Sequence, residues 1–286
     1  MFCSNCSTAF WRRWKPSRWK EHLHVSSIVT DQGIVHYETY GQGKPVVLLH
    51  GWLGSWGLWQ RTMEELGRSY RTYALDFWGF GDSGKKRQTY AVSDFVSLVD
   101  QFMAQLGIAS APLVGHSMGG TVSLSVAMRY PERVQKVVVV GSPIVGSSLN
   151  IFLRLAGYRA IAFVVYNMPS ALRLAVRSFS PFIVNKEPLA WYRALERDLS
   201  KTTLESFFAS IGSLRRTDLR PRLNEVNVPT LGVYGVGDTI VHPKQYEPLK
   251  AGVPHAQIEV LRGSRHFPMI DEPETFNAVL KNFLDS

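Results

Sequence analysis

Short continuous apolar runs recur along this chain, each followed by a glycine-rich or polar loop and then by a stretch with apolar residues at helical spacing. Runs at 46–49, 134–140 and 230–235 have the largely apolar pattern of strands buried on both faces, and 70–76, 112–114 and 256–261 read as further strands. Residues 56–66, 91–106, 121–128 and 243–251 read as helices between them. Two alternating runs, 24–29 and 34–40, flank the turn Thr30-Asp31-Gln32-Gly33 and predict an antiparallel hairpin at one edge. The expected fold class is α/β: a doubly wound, mostly parallel sheet whose ligand crevice lies at the carboxyl ends of the strands. From 143 to 228 the alternation stops. Segments 149–166, 170–179, 188–199 and 204–214 read there as short helices, broken by Pro169, Pro181 and Pro188. The chain thus divides into an arm (1–23), a core (24–142 and 229–286) and a helical insertion (143–228).

The run at 112–114 leads into Gly115-His116-Ser117-Met118-Gly119 and then directly into a helix. A turn this tight leaves no room for a Cβ on either side of the serine, which Gly115 and Gly119 satisfy. Ser117 is left on an exposed apex. A serine hydroxyl is a poor nucleophile at neutral pH and needs a base, which in turn needs a third group to hold it. An acid and then a histidine should follow, each in a loop after a strand. Asp238 follows the run 230–235, and His266 follows the run 256–261.

With Ser117, Asp238 and His266 in that order, the chain resembles the α/β-hydrolase family from about His24 to the C-terminus. The resemblance implies a helical cap at 143–228 over the catalytic crevice and an oxyanion hole fed by the loop after the strand at 46–49. His50-Gly51-Trp52 matches the family's His-Gly-x pattern, so the amides of Trp52 and Met118 are the expected donors, with Leu53 replacing Trp52 if the register slips. Each such donor lowers the barrier by ~3 kcal/mol. Asp76-Phe77-Trp78-Gly79-Phe80-Gly81-Asp82-Ser83 is similar to the family's Asp-x-x-Gly-x-Gly-x-Ser segment. Asp76 reads there as a structural hydrogen-bonder, while Phe77 and Trp78 add apolar wall. The expected substrate-binding residues are Trp52, Leu53, Trp78, His116 and Phe267. A serine nucleophile separates the chain from the family's aspartate-dependent epoxide hydrolases and haloalkane dehalogenases.

The formal net charge is +9. Arg12, Arg13, Lys15, Arg18 and Lys20 in the arm, with Arg154, Arg159, Arg173 and Arg177 in an acid-free stretch of the insertion, account for all of it. Two basic, apolar segments on a balanced body point to an anionic membrane surface rather than to nucleic acid. Three tryptophans in the arm strengthen that expectation. Phe10 to Lys20 alternates aromatic and basic residues where a secretory signal would be apolar, and no run of ~18 apolar residues predicts a spanning helix. Cys3 and Cys6 stand alone without a second pair, which is weak for zinc, and leave the body free of disulfides. A cytoplasmic protein, membrane-associated through residues 1–20 and the cap, is expected. The triad calls for no metal or cofactor.

The expected activity is hydrolysis of carboxylic esters with a hydrophobic acyl or alcohol part, through an acyl-enzyme. The same three residues would serve carbon–carbon bond hydrolysis or cofactor-free haloperoxidase and perhydrolase chemistry. From a different class, the chain could be a non-catalytic accessory protein of pigment or lipid metabolism.

Overall fold

The computed structural model describes residues 24–85, 89–156, 158 and 169–286. The arm, and part of the helix expected over 149–166, lie outside the described residues. Eight strands form one sheet: β1 (His24–Thr30), β2 (Gly33–Tyr40), β3 (Lys44–Leu49), β4 (Tyr70–Leu75), β5 (Ala111–His116), β6 (Val134–Val140), β7 (Thr230–Gly235) and β8 (Gln257–Leu261). Their order is β1-β2-β4-β3-β5-β6-β7-β8. β2 is antiparallel to both β1 and β4, and every other pair is parallel. The chain leaves β3 for β4 on one side and returns to β5 on the other. A crevice therefore opens beyond the β3 and β5 ends, where an open α/β sheet binds ligands.

The helices are α1 (Gln60–Leu66), α2 (Val92–Gln105), α3 (Met118–Arg129), α4 (Ile151–Ala156), α5 (Pro169–Ile183), α6 (Pro188–Ser200), α7 (Leu204–Arg216), α8 (Tyr246–Gly252), α9 (Pro268–Asp271) and α10 (Pro273–Asp285). Alternate strand residues feed two cores, because side chains leave a strand on opposite faces. Val47, Leu49, Leu113, Val137 and Val139 pack with Phe95 and Phe102 of α2 and Val122 of α3. Val46, Leu48, Val114, Val138 and Val140 pack with Met63 of α1 and Phe276 and Leu280 of α10. Covering helices on both faces explain why β5 and β7 are buried at every position, whereas the edge strand β8 keeps Gln257 and Glu259 and is largely exposed.

Helices α4 to α7 lie between β6 and β7. The two ends of this insertion meet at its base, where Val145 bridges Asp218 and the Gln245 side chain accepts from the amides of Ile144 and Val145, both at 2.9 Å. Pro169 and Pro188 open helices rather than break them, the position at which a missing amide hydrogen costs nothing. Pro181 does not end its helix either. It lies in the last stretch of α5, which continues to Ile183, and the Arg265 guanidinium donates to the Pro181 carbonyl. No helix among the described residues is long and apolar enough to cross a membrane.

Candidate functional site

The turn after β5 stores the strain its sequence implies. Ser117 has φ 51° and ψ −118°, a conformation that L-residues avoid and that costs about 1–3 kcal/mol. The Ser117 amide donates to the Val140 carbonyl at 2.8 Å, fixing the apex against β6. A Cβ on Gly115 would lie 2.2 Å from the Gly119 carbonyl oxygen, and one on Gly119 would lie 2.3 Å from that of Leu49. The glycines let β5, α3 and the end of β3 meet backbone to backbone.

Two loops bring the acid and the histidine to this apex. Asp238, beyond β7, accepts from the amides of Ile240 and Val241 through Oδ1 at 2.8 and 2.9 Å. Its Oδ2 accepts from His266 Nδ1 at 2.8 Å. Three donors thus hold the carboxylate, and with Nδ1 donating to it a neutral ring carries its lone pair on Nε2. Gly141, in the loop after β6, packs against the pair, since a Cβ there would stand 3.4 Å from both Asp238 Oδ2 and His266 Nδ1. Ser117 and His266 line one cavity of about 610 Å3. Among the described residues no hydrogen bond yet joins Ser117 Oγ to the His266 ring; such bonds are often long without substrate and tighten with it.

The loop after β3 lies alongside. A Cβ on Gly51 would stand 3.1 Å from Ser117 Cβ, so the backbone that carries the Trp52 amide runs close to the serine. Met118 opens α3, where helical geometry leaves its N–H without an intrahelical partner. His50 secures the loop, its Nδ1 donating to the Gly51 carbonyl at 2.7 Å and its Nε2 accepting from the Phe77 amide at 2.9 Å. Burial lowers its pKa, and one donor role with one acceptor role requires the neutral ring.

Trp52, Leu53, His116 and Phe267 line the cavity. His116 Nε2 donates to the His266 carbonyl at 2.9 Å, and its ring packs on those of His266 and Phe267 with centroids 4.7 and 4.6 Å away. Burial first, and the neighbouring His266 second, hold the His116 pKa well below the usual imidazole range. It is therefore a neutral support for the histidine loop. Trp78 corrects the expectation. It is fully buried in the core on the α2 face and does not line the cavity, and Phe77 is buried beside it. The turn permitted by Gly79 and Gly81 directs both rings inward, under the loop.

Asp76 is structural, as its sequence context predicts. It accepts from the amides of Trp56 and Asp82 and from His36 Nδ1, at 2.7, 2.9 and 2.9 Å. His36, Asp76 and Asp82 are the one grouping of metal-type donors among the described residues. Their lone pairs and protons already serve one another and, for Asp82, Lys201.

The sequence places the insertion over the crevice but does not single out the residues of α5 to α7 that face it. Val176 and Ile183 of α5, Trp191 and Leu195 of α6 and Ile211 and Leu214 of α7 line the apolar part of the cavity. Arg61, Lys186, Arg197 and Asp198 give it a charged portion. Asp198 is buried, its pKa is raised by desolvation, and it accepts from Ser55 Oγ at 2.9 Å. Nothing local marks a helical carboxylate as buried by a loop 143 residues earlier.

Comparison with known proteins agrees with this architecture. Residues 44–273 match the family described as the alpha/beta hydrolase fold. A pimeloyl-[acyl-carrier protein] methyl ester esterase of Vibrio campbellii is 26% identical, with 87% of this chain aligned to 98% of that protein. A 3-oxoadipate enol-lactonase of Acinetobacter baylyi is also 26% identical, over 91% of this chain and 98% of its own length. Among solved structures, an esterase from Exiguobacterium antarcticum superposes with a TM-score of 0.79 at 24% identity, covering 92% of this chain and all of its own. The family match spans most of the sheet and the whole insertion, and the chain belongs to the alpha/beta hydrolase fold family.

Proposed function

We propose that this protein hydrolyses carboxylic esters through an acyl-enzyme on Ser117. The observation that carries the reading is the His266–Asp238 bond at 2.8 Å, opening on the same cavity as a strained Ser117. In the proposed reaction His266 Nε2 takes the proton as Ser117 Oγ attacks the carbonyl, and Asp238 stabilises the imidazolium that forms. The amides of Trp52 and Met118 receive the developing oxyanion without reorganising. His266 then returns the proton to the leaving alcohol and activates the water that releases the acid.

The two relatives named above support the bond type: one cleaves a methyl ester and the other, by its name, a lactone, which is a cyclic ester. Helices α4 to α7 act as a cap in this reading, excluding water and shaping the substrate pocket. The cavity wall is mainly aliphatic and aromatic, which favours an apolar acyl or alcohol group. The test is turnover of p-nitrophenyl esters from two to sixteen carbons by wild type and Ser117→Ala, together with fluorophosphonate labelling. Labelling and turnover should both vanish in the variant, with an optimum at medium or long chains. Wild-type protein that turns over no ester and takes no label would leave the accessory-protein reading in its place.

A further inference from the structure

Helix α5 separates two apolar surfaces. Val176 and Ile183 point into the cavity, and Ser180 between them is buried. Away from the cavity Leu174 and Phe182 are exposed to 67 and 58%, and at the flank Phe179 is exposed to 54%. Leu174, Arg177, Ser178 and Phe182 follow helical spacing along one stripe, and all are exposed. An amphipathic helix normally turns polar residues to water. Here Leu174 and Phe182 share the outward stripe with Arg177 and Ser178, so large apolar side chains stand in water beside a cation.

The pattern extends beyond α5. On α4, Ile151 and Leu155 are exposed with Arg154 between them. Arg265 reaches within 6.0 Å of the Phe182 ring. No acidic residue occurs from 144 to 185. We infer that this face docks on an anionic lipid surface, with Leu174, Phe179 and Phe182 entering the headgroup region and Arg154 and Arg177 meeting lipid phosphates. The charge complementarity favours this occupant over a second copy of the chain, whose matching face would be equally cationic.

The placement also has a consequence for the site. The last carbonyls of α5 are bound by the two loops that carry Asp238 and His266. Thr239 Oγ1 donates to Phe182 O at 2.8 Å, the Arg265 guanidinium to Pro181 O, and the His266 amide to Ile183 O at 3.3 Å. One short helix therefore joins the proposed lipid contact to the catalytic histidine and to the cavity wall. A substrate leaving the lipid would meet the cavity beside the docked helix. That delivery role rests on the ester-hydrolase reading, whereas the docking does not.

The experiment is sedimentation of the full chain with vesicles of phosphatidylglycerol or of phosphatidylcholine. Wild type should bind phosphatidylglycerol at least tenfold more tightly. Leu174→Ser/Phe179→Ser/Phe182→Ser should lose that binding by at least tenfold with an unchanged thermal midpoint. Arg154→Ala/Arg177→Ala should lose the preference between the two lipids. Ser117→Ala should sediment as wild type, so a failed esterase assay leaves the docking result standing. The proposal is overturned if the triple-serine variant sediments like wild type, if deletion of residues 1–20 alone abolishes binding, or if sedimentation velocity shows that the face instead makes a dimer.

Discussion

Among the described residues two buried histidine–aspartate pairs occur, built from the same atoms and set in different surroundings. His266 Nδ1 donates to Asp238 Oδ2 at 2.8 Å, and His36 Nδ1 to Asp76 Oδ2 at 2.9 Å. In both, backbone amides fill the rest of the carboxylate: Ile240 and Val241 on Asp238, Trp56 and Asp82 on Asp76. What differs is the far side of the imidazole. His266 shares a cavity wall with Ser117. His36 Nε2 instead faces a second buried carboxylate, Glu38 Oε1, at 3.5 Å. Burial alone would lower the His36 pKa, but hydrogen bonds to Asp76 and Glu38 and their charges override it and raise it to about 9. A ring held as a cation through neutral pH cannot accept a proton, so this pair ties the hairpin to the loop after β4. A carboxylate behind a histidine does not by itself make a base; in the proposed function the difference is that the His266 ring shares its cavity with Ser117.

The largest expected effect separates the pairs by rate. Ser117→Ala should lower kcat for a p-nitrophenyl ester by roughly 10^4 to 10^6-fold, and Asp238→Asn by about 10^4-fold through the wrong tautomer. Both thermal midpoints should stay near wild type. A rate within tenfold of wild type for Ser117→Ala would erase the functional contrast.

Asp76→Ala should act on stability instead. Removing one partner of a buried ion pair costs about 3–5 kcal/mol, here because the His36 cation and the amides of Trp56 and Asp82 lose their acceptor. Urea unfolding should report that loss, while kcat per folded molecule stays within a few-fold. Loss of kcat with the stability intact would mean that the second pair takes part in turnover.

The sheet and the serine turn were legible because the physics that makes them is local. Strands such as β5 and β6 are covered on both faces, so their sequences carry almost no polar positions, and a strand turning sharply into a helix needs Gly115 and Gly119 wherever it occurs. Asp238 and His266 were legible from chain order once Ser117 demanded partners. The walls of the cavity were not. Trp78 sits among glycines that let the chain fold either way, and only the packed structure shows the ring inside. Asp271, at the end of α9, binds the amides of Asn185, Lys186 and Arg265 and so pins the His266 loop to the end of α5, and no motif marks it. Such residues act through partners far away in the chain, and no local pattern encodes them.

The His36 pair also predicts a pH dependence. Its folded pKa, about 9, lies above the ordinary 6.5, so its contribution to stability is complete below pH 6.5 and is lost as pH rises through 9. A tenfold gain in proton affinity on folding is worth ~1.4 kcal/mol, and partial solvent access weakens the interaction, so about 1–3 kcal/mol should disappear over this window. Urea midpoints from pH 6 to 10 should show the decline, and His36→Gln should flatten it. An equal decline in the variant would assign the effect elsewhere.

The smallest expected effect lies at Trp52, where side chain and amide have separate tasks. The indole Nε1 donates to the Phe207 carbonyl at 2.9 Å, and its ring meets Phe207 edge to face with centroids 4.7 Å apart. Trp52→Phe removes this hydrogen bond, while the Phe207 carbonyl keeps its place in α7 and the Ser210 Oγ donor at 3.4 Å, so the loss is about 1 kcal/mol at most and a fall of roughly 2 °C in Tm. The backbone amide at position 52 is untouched, so kcat for a short ester should hold. KM for the longest accepted ester should rise a few-fold, because α7 is then less firmly held over the cavity. If kcat falls tenfold or more at every chain length, the indole is steering the loop proposed to receive the oxyanion, and the proposed division between wall and catalytic backbone at this residue does not hold.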